Sequence, residues 1–141
     1  MNVIEIPFKI IELEDQQNIM LVVEAFIGEC PINLVIDTGA SHSCLSKKSI
    51  KNLTEKITTK VDAVLGIGKG RLKNKMVNVP SFKIGDLEIK DYPFLILSLT
   101  HINNMLSSIG METISGFLGS DILYAYKAKI DYGCRVVQLQ V

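Results

Sequence analysis

Apolar and polar residues alternate from the start of the chain. Ile4, Ile6, Phe8 and Ile10 are separated by Glu5, Pro7 and Lys9. That period of two predicts a half-exposed strand. Polar residues from Glu14 to Asn18 predict a turn. Ile19 to Ile27 is apolar at nearly every position, interrupted by Glu24, and reads as a strand covered on both sides. Gly28-Glu29-Cys30-Pro31 predicts a turn. Ile32 to Ile36 is the next strand, with Ile32, Leu34 and Ile36 on one face and Asn33, Val35 and Asp37 on the other.

Further along, Ser46 is placed to cap a short helix carrying Ile50 and Leu53. Thr54 to Lys60 is a polar connection. Val61, Ala63, Leu65 and Ile67 alternate again and lead into Gly66-Ile67-Gly68-Lys69-Gly70. Met76 to Val79 reads as the returning strand, with Pro80 near its end. Gly85-Asp86, between Phe82, Ile84 and Leu87, Ile89, signals a two-residue hairpin turn. Phe94 to Leu99 is a buried strand. Thr100 is expected to cap a helix with Ile102, Met105, Leu106 and Ile109 on one face, stopped by Gly110. After Phe117-Leu118-Gly119, either Gly119 or Ser120 opens a last helix, with Asp121 in its first turn. Ala128 to Asp131, a turn at Gly133, and Arg135 to Val141 form a second hairpin. Strands dominate and no βαβ alternation occurs, so the fold class is all-β: a small closed or partly closed barrel with two or three short helices.

Composition narrows this picture. The 141 residues suffice for one domain with its own core, taken as residues 1–141. Basic and acidic residues balance at 15 each, so no nucleic-acid partner is expected. Lys47, Lys48 and Lys51 read as a solvated helix face. No apolar run approaches the roughly 20 residues of a membrane span. The first residues lack a basic region before an apolar segment, so no signal peptide is expected there. Cys30, Cys44 and Cys134 have no paired metal spacing and read as small buried hydrophobes. Such scattered thiols suit a reducing cytoplasm. No metal or other cofactor is expected.

The stretch Leu34-Val35-Ile36-Asp37-Thr38-Gly39-Ala40-Ser41 carries the chemistry. An apolar strand that runs straight into an acid is costly, because a carboxylate resists leaving water. Gly39 allows the backbone to turn sharply around it. Asp37-Thr38-Gly39-Ala40-Ser41 after such a strand resembles the retropepsin-like aspartic proteases, single-domain relatives of pepsin. Gly116-Phe117-Leu118-Gly119-Ser120-Asp121-Ile122-Leu123 resembles the family's late motif. The glycines at 66, 68 and 70 stand where the family carries its flap. The resemblance spans residues 19 to 141 and points to the cellular and bacterial members. The viral members often place arginine where this chain has Ser120, tethering an acid just after the active-site turn. Here that acid is missing too, since Ser41-His42 follow Ala40, so the tie is expected to be lost.

The resemblance implies an aspartic endopeptidase. Two carboxylates share a proton; one activates water and the other supports the oxyanion. With one Asp-Thr-Gly in the chain, Asp37 is expected to meet its own copy in a homodimer. The catalytic turn is then Asp37, Thr38 and Gly39, with Thr38 locking the two turns together. Ala40 and the flap residues Gly66, Ile67, Gly68, Lys69 and Gly70 face a peptide or protein substrate. Phe117, Leu118 and Gly119 support the turn. Ala40 brings no hydroxyl to the acid, which implies a working pH less acidic than pepsin's. His42 and His101 have no required part, and Asp121 has a structural explanation at its helix start. In the viral relatives the chain ends weave a shared sheet; here Val3 to Ile10 and Val136 to Val141 suit either that or pairing within one chain. The alternative function is a non-catalytic peptide-binding or assembly module on the same scaffold.

Overall fold

A computed structural model describes residues 2–13, 18–53, 59–67 and 70–141. Of the expected turn at Glu14 to Asn18, residues 14–17 lie outside the described residues and Asn18 opens a strand; of the connection Thr54 to Lys60, residues 54–58 lie outside them and Thr59 and Lys60 open a strand; Gly68 and Lys69 lie outside as well. The chain forms β1 (Val3–Leu13), β2 (Asn18–Ile27), β3 (Cys30–Ile36), β4 (Cys44–Ser46), α1 (Lys47–Asn52), β5 (Thr59–Ile67) and β6 (Gly70–Ile84). Then come β7 (Leu87–Leu97), α2 (Thr100–Ser108), β8 (Gly116–Leu118), α3 (Ser120–Ala125), β9 (Lys129–Asp131) and β10 (Val136–Gln140).

The hydrogen-bonded order is β5-β6-β7-β4-β8-β3-β2-β1-β10-β9, and β6 also pairs with β2. That extra pairing, Phe26 with Lys83 and Ile27 with Phe82, closes β2, β3, β8, β4, β7 and β6 into a barrel. The all-β barrel read from the sequence is therefore the observed fold, with three short helices. Among the described residues, no helix is long and apolar enough to cross a membrane.

The barrel core explains the strand pattern. Ile32, Leu34 and Ile36 of β3 join Val23, Ala25 and Ile27 of β2 and Val77, Phe82 and Phe94 of the β6–β7 pair in one buried cluster. Val35 points to the opposite face, where Leu13, Val22, Leu99, Leu106 and Ile114 form a second cluster. At its Asp37 end β3 is thus covered on both faces, while Asn33, on the same face as Val35, is only half-buried. Fully burying a side chain of this size contributes about 1.5–3 kcal/mol, so the strand that ends on Asp37 is held firmly.

Several elements differ from the sequence reading. Cys30 and Pro31 already belong to β3, since a two-residue turn at Gly28-Glu29 suffices to bring Cys30 opposite Ile27. Pro80 does not end its strand: β6 runs on to Ile84, and the ladder keeps one register from Val79–Tyr92 to Ser81–Lys90. Its opposite number, Asp91, takes φ 52°. The two short strands expected on each side are therefore two long ones, turned at Gly85, whose φ of 57° suits a residue without a side chain. β2 is covered on both sides only in part, with Ile19 and Glu24 exposed. Thr100 does not cap α2; Leu99 holds that position and makes no side-chain cap bond. Met105 and Ile109 are exposed, leaving Leu106 as the buried anchor of that helix. Ser46 does cap α1, accepting from Ser49 N at 3.0 Å. Of the three cysteines only Cys44 is buried; Cys30 is half-buried and Cys134 exposed.

The chain ends pair within the chain. Val3 to Pro7 of β1 run antiparallel to Val136 to Gln140 of β10. The second half of β1, Phe8 to Leu13, pairs instead with β2. The far edge of β10 is taken by β9, and Gln140 N donates to Tyr126 O at 2.7 Å.

Candidate active site

β3 runs parallel to β8, with Leu34, Val35 and Ile36 opposite Gly116, Phe117 and Leu118. One further bond extends that ladder: Asp37 N donates to Leu118 O at 2.9 Å. The acid therefore leaves the barrel from a strand end fixed on the late Gly-Phe-Leu stretch. Ala40 N donates to Asp37 O at 3.2 Å, closing the turn. Gly39 N donates to the Asp37 Oδ1 at 2.9 Å, an Asx-type bond that orients the carboxylate. Asp37 is half-buried, whereas Thr38 and Gly39 are exposed. A carboxylate aimed by its own backbone and open to solvent can accept a proton from a water molecule or give one to a substrate.

α3 holds the turn from behind. Ser120 N donates to Ala40 O at 2.7 Å, and Ser120 Oγ donates to Thr38 O at 2.6 Å. The tie expected to be lost with the arginine is thus present in another form, hydroxyl to backbone. Gly119 lies so close that a Cβ there would stand 2.8 Å from both Ala40 O and the His42 carbonyl carbon. Only a residue without a side chain permits this approach.

A buried polar cluster adjoins the turn. Ser43 is fully buried; its Oγ accepts from Gly119 N at 2.8 Å and donates to Asp121 Oδ1 at 2.8 Å. Ser43 N donates to the same oxygen at 2.9 Å. Asp121 Oδ2 accepts from the Tyr92 hydroxyl at 2.6 Å. Burial, then the bond to Asp121, pushes that phenol above its usual range. Next to Ser43, burial pushes the Cys44 thiol up to about 11, and the charges of Asp37 and Asp121 add to the shift. Cys44 is therefore a neutral, unreactive filler.

The structure brings Asp37, Thr38, Gly39 and Ala40 against Leu118, Gly119 and Ser120, with Phe117 half-buried alongside. Gly66, Ile67 and Gly70 lie in a separate feature, the β5–β6 hairpin, with Ile67 opposite Gly70. Gly68 and Lys69 are outside the described residues. Among the described residues β6 pairs with β7 from Met76 onward, so the β5–β6 hairpin continues past that pairing as a two-stranded ribbon. Ser43, Tyr92 and Ser120 are the residues that sequence reasoning missed. Asp121, expected from the sequence to serve its helix start, also bonds Ser43 and Tyr92. The one available signal was the Ser41-His42-Ser43 run after the acid; nothing local ties Ser43 to residues 78 positions away. Among the described residues, no three His, Cys, Asp or Glu side chains gather to hold a metal ion.

Known proteins resemble this chain in family and in fold. A family model described as aspartyl protease matches residues 23–122. No curated protein sequence matches the chain. Among solved structures, it is similar to a retropepsin-like aspartic protease from Rickettsia conorii at 20% identity and TM-score 0.53, over 98% of this chain and 89% of that one. It is also similar to the EIAV protease complexed with the inhibitor HBY-793, at 21% identity and TM-score 0.57, over 84% of this chain and 98% of that one. The retroviral protease-like domain of Ddi1 from Leishmania major matches at 16% identity and TM-score 0.50, over 80% and 82%. At such identities these likenesses speak for the fold. The family match is the stronger statement, because it runs from β2 through the acid turn and the late motif to Ile122. The chain belongs to the aspartyl protease family and has the retropepsin-like fold.

Proposed function

We propose that the chain is an aspartic endopeptidase whose active form is a homodimer. The observation that carries this is the Asp37 turn: a solvent-reached carboxylate on a rigid strand end, with one such turn in the chain. Peptide hydrolysis by this chemistry needs two carboxylates sharing one proton, because like charges about 3 Å apart do not both ionise. A second copy supplies the second Asp37. The ionised member takes a proton from water, which attacks the peptide carbonyl, while the protonated member supports the oxyanion.

Thr38 is exposed beside the acid, where its side chain is free to bond the partner's turn. The β5–β6 ribbon, with Gly66, Ile67 and Gly70 at its described end, is the lid that closes over an extended peptide and excludes water. Since β10 is bonded on both edges within the chain, the dimer contact is centred on the acid turns rather than on exchanged C-terminal strands. Ala40 offers no hydroxyl to the acid, and the rate maximum lies above about pH 3. The test is Asp37→Asn in the full chain, assayed on fluorogenic peptides of mainly apolar sequence. Turnover falls by at least about a thousandfold, roughly 4 kcal/mol of barrier, with the melting temperature and dimer mass unchanged. Undiminished cleavage by that variant sinks the reading.

A further inference from the structure

The Asp121 cluster is more elaborate than a helix start requires. A carboxylate in the first turn of α3 already gains from the helix dipole without any buried partner. Asp121 instead spends both oxygens inward. Oδ1 takes the backbone N–H and the hydroxyl of Ser43, at 2.9 and 2.8 Å. Oδ2 takes the Tyr92 hydroxyl at 2.6 Å. His42 Nδ1 faces that same oxygen at 3.6 Å, and this nitrogen is buried with no hydrogen-bond partner. Four groups from two places converge on this one carboxylate of α3: the Ser43 N–H, the Ser43 hydroxyl and the His42 imidazole just after the acid turn, and the Tyr92 hydroxyl on β7.

The consequence is mechanical. Ser43 also accepts from Gly119 N, so Asp121, Ser43 and Gly119 form one bonded chain that ends against Ala40. Tyr92 fastens that chain to β7, whose partner β6 carries the β5–β6 ribbon. Charge-assisted bonds of this kind are short and stiff, and in a buried setting each supports the next.

We propose that Asp121 is a positioning residue for Asp37. It acts through Ser43 to hold the acid turn in its reactive geometry, and Tyr92 couples that turn to the wall from which the lid extends. The proposal rests on the endopeptidase reading for its effect on rate, though not for its effect on the turn. Asp121 touches neither substrate nor the reacting atoms. Removing it should therefore lower kcat more than it raises KM, because the carboxylate is misplaced while the groove is left intact.

The experiment compares Asp121→Ala, Asp121→Asn and Tyr92→Phe in the full chain by three readouts: melting temperature, the amide resonance of Gly39, and kcat and KM on a fluorogenic peptide. Gly39 N–H bonds the Asp37 carboxylate, so its shift reports the turn directly. Asp121→Ala is expected to move the Gly39 resonance and lower kcat about tenfold or more, with KM within about twofold. Asp121→Asn keeps an oxygen for Ser43 and restores most of both. Tyr92→Phe falls between them. If Asp121→Ala fails to fold, the other two variants decide on the same readouts. A Gly39 resonance unmoved in the folded variants, with kcat within about twofold of the native chain, overturns the proposal. Should the native chain cleave no peptide, the endopeptidase reading fails, and the Gly39 resonance alone decides the tie.

Discussion

Two regions of this chain each join segments that lie far apart in sequence, by different means. At the acid turn, β3, β8 and α3 are tied by a few polar bonds, several from side chain to backbone, around a carboxylate left open to solvent. In the terminal sheet, β1 and β10 are joined by a regular ladder, and Ile6, Val137 and Leu139 are sunk in the core. The terminal sheet closes the fold and leaves no edge of β10 unbonded along its pairing with β9. The acid turn is equally fixed in place, and on the proposed reading it is one half of a site. Stability thus resides in apolar ladders that one chain finishes alone, and the proposed activity in a polar turn that, on that reading, calls for a second copy.

That contrast breaks first at β10. Leu139 is fully buried, and Leu139→Ala is expected to cost about 2–5 kcal/mol. Denaturant unfolding measures it, and the loss should be the same at high and low protein concentration, because the contact lies within one chain. Truncating residues 135–141 would therefore unfold the chain instead of separating a dimer.

At the acid turn a smaller stability change goes with a larger functional one. Gly119→Ala puts a methyl 2.8 Å from Ala40 O, and the backbone has to give. The expected cost is about 1–3 kcal/mol of stability. Turnover should fall further than the folded fraction, as a paired melting and rate measurement would reveal.

The smallest effect sharpens the contrast through pH. The Cys44 thiol beneath the turn is raised to about 11, above the unfolded thiol value near 8.5. Its contribution to stability is full below that unfolded value and is lost as pH rises through about 11. The melting temperature should fall across that window, and the fall should be flatter in Cys44→Ala. Leu139→Ala should leave the alkaline slope unchanged.

Much of this was legible in the chain itself. The period-two runs placed most strands, because a half-buried sheet imposes that spacing wherever one face is wet. The apolar run into Asp37 was legible because so few surroundings justify such a sequence. Pro80 misled, since a residue with no N–H usually marks a strand boundary; here the long β6–β7 ladder holds its register on either side. The ties behind the turn were not legible. Ser43, Tyr92 and Asp121 are ordinary residues at unremarkable spacing, and only the closed barrel brings them together. The intrachain pairing of β1 with β10 was open for a related reason: alternation tells that a strand pairs, not with whom.

On the proposed reading two Asp37 carboxylates form one site. Its most direct test is their separation in a crystal structure of the assembled protein. The expected result is a symmetric dimer with the two carboxylates about 3 Å apart. A dimer that holds them at more than about twice that distance, or a chain that cleaves peptides as a monomer, would contradict it.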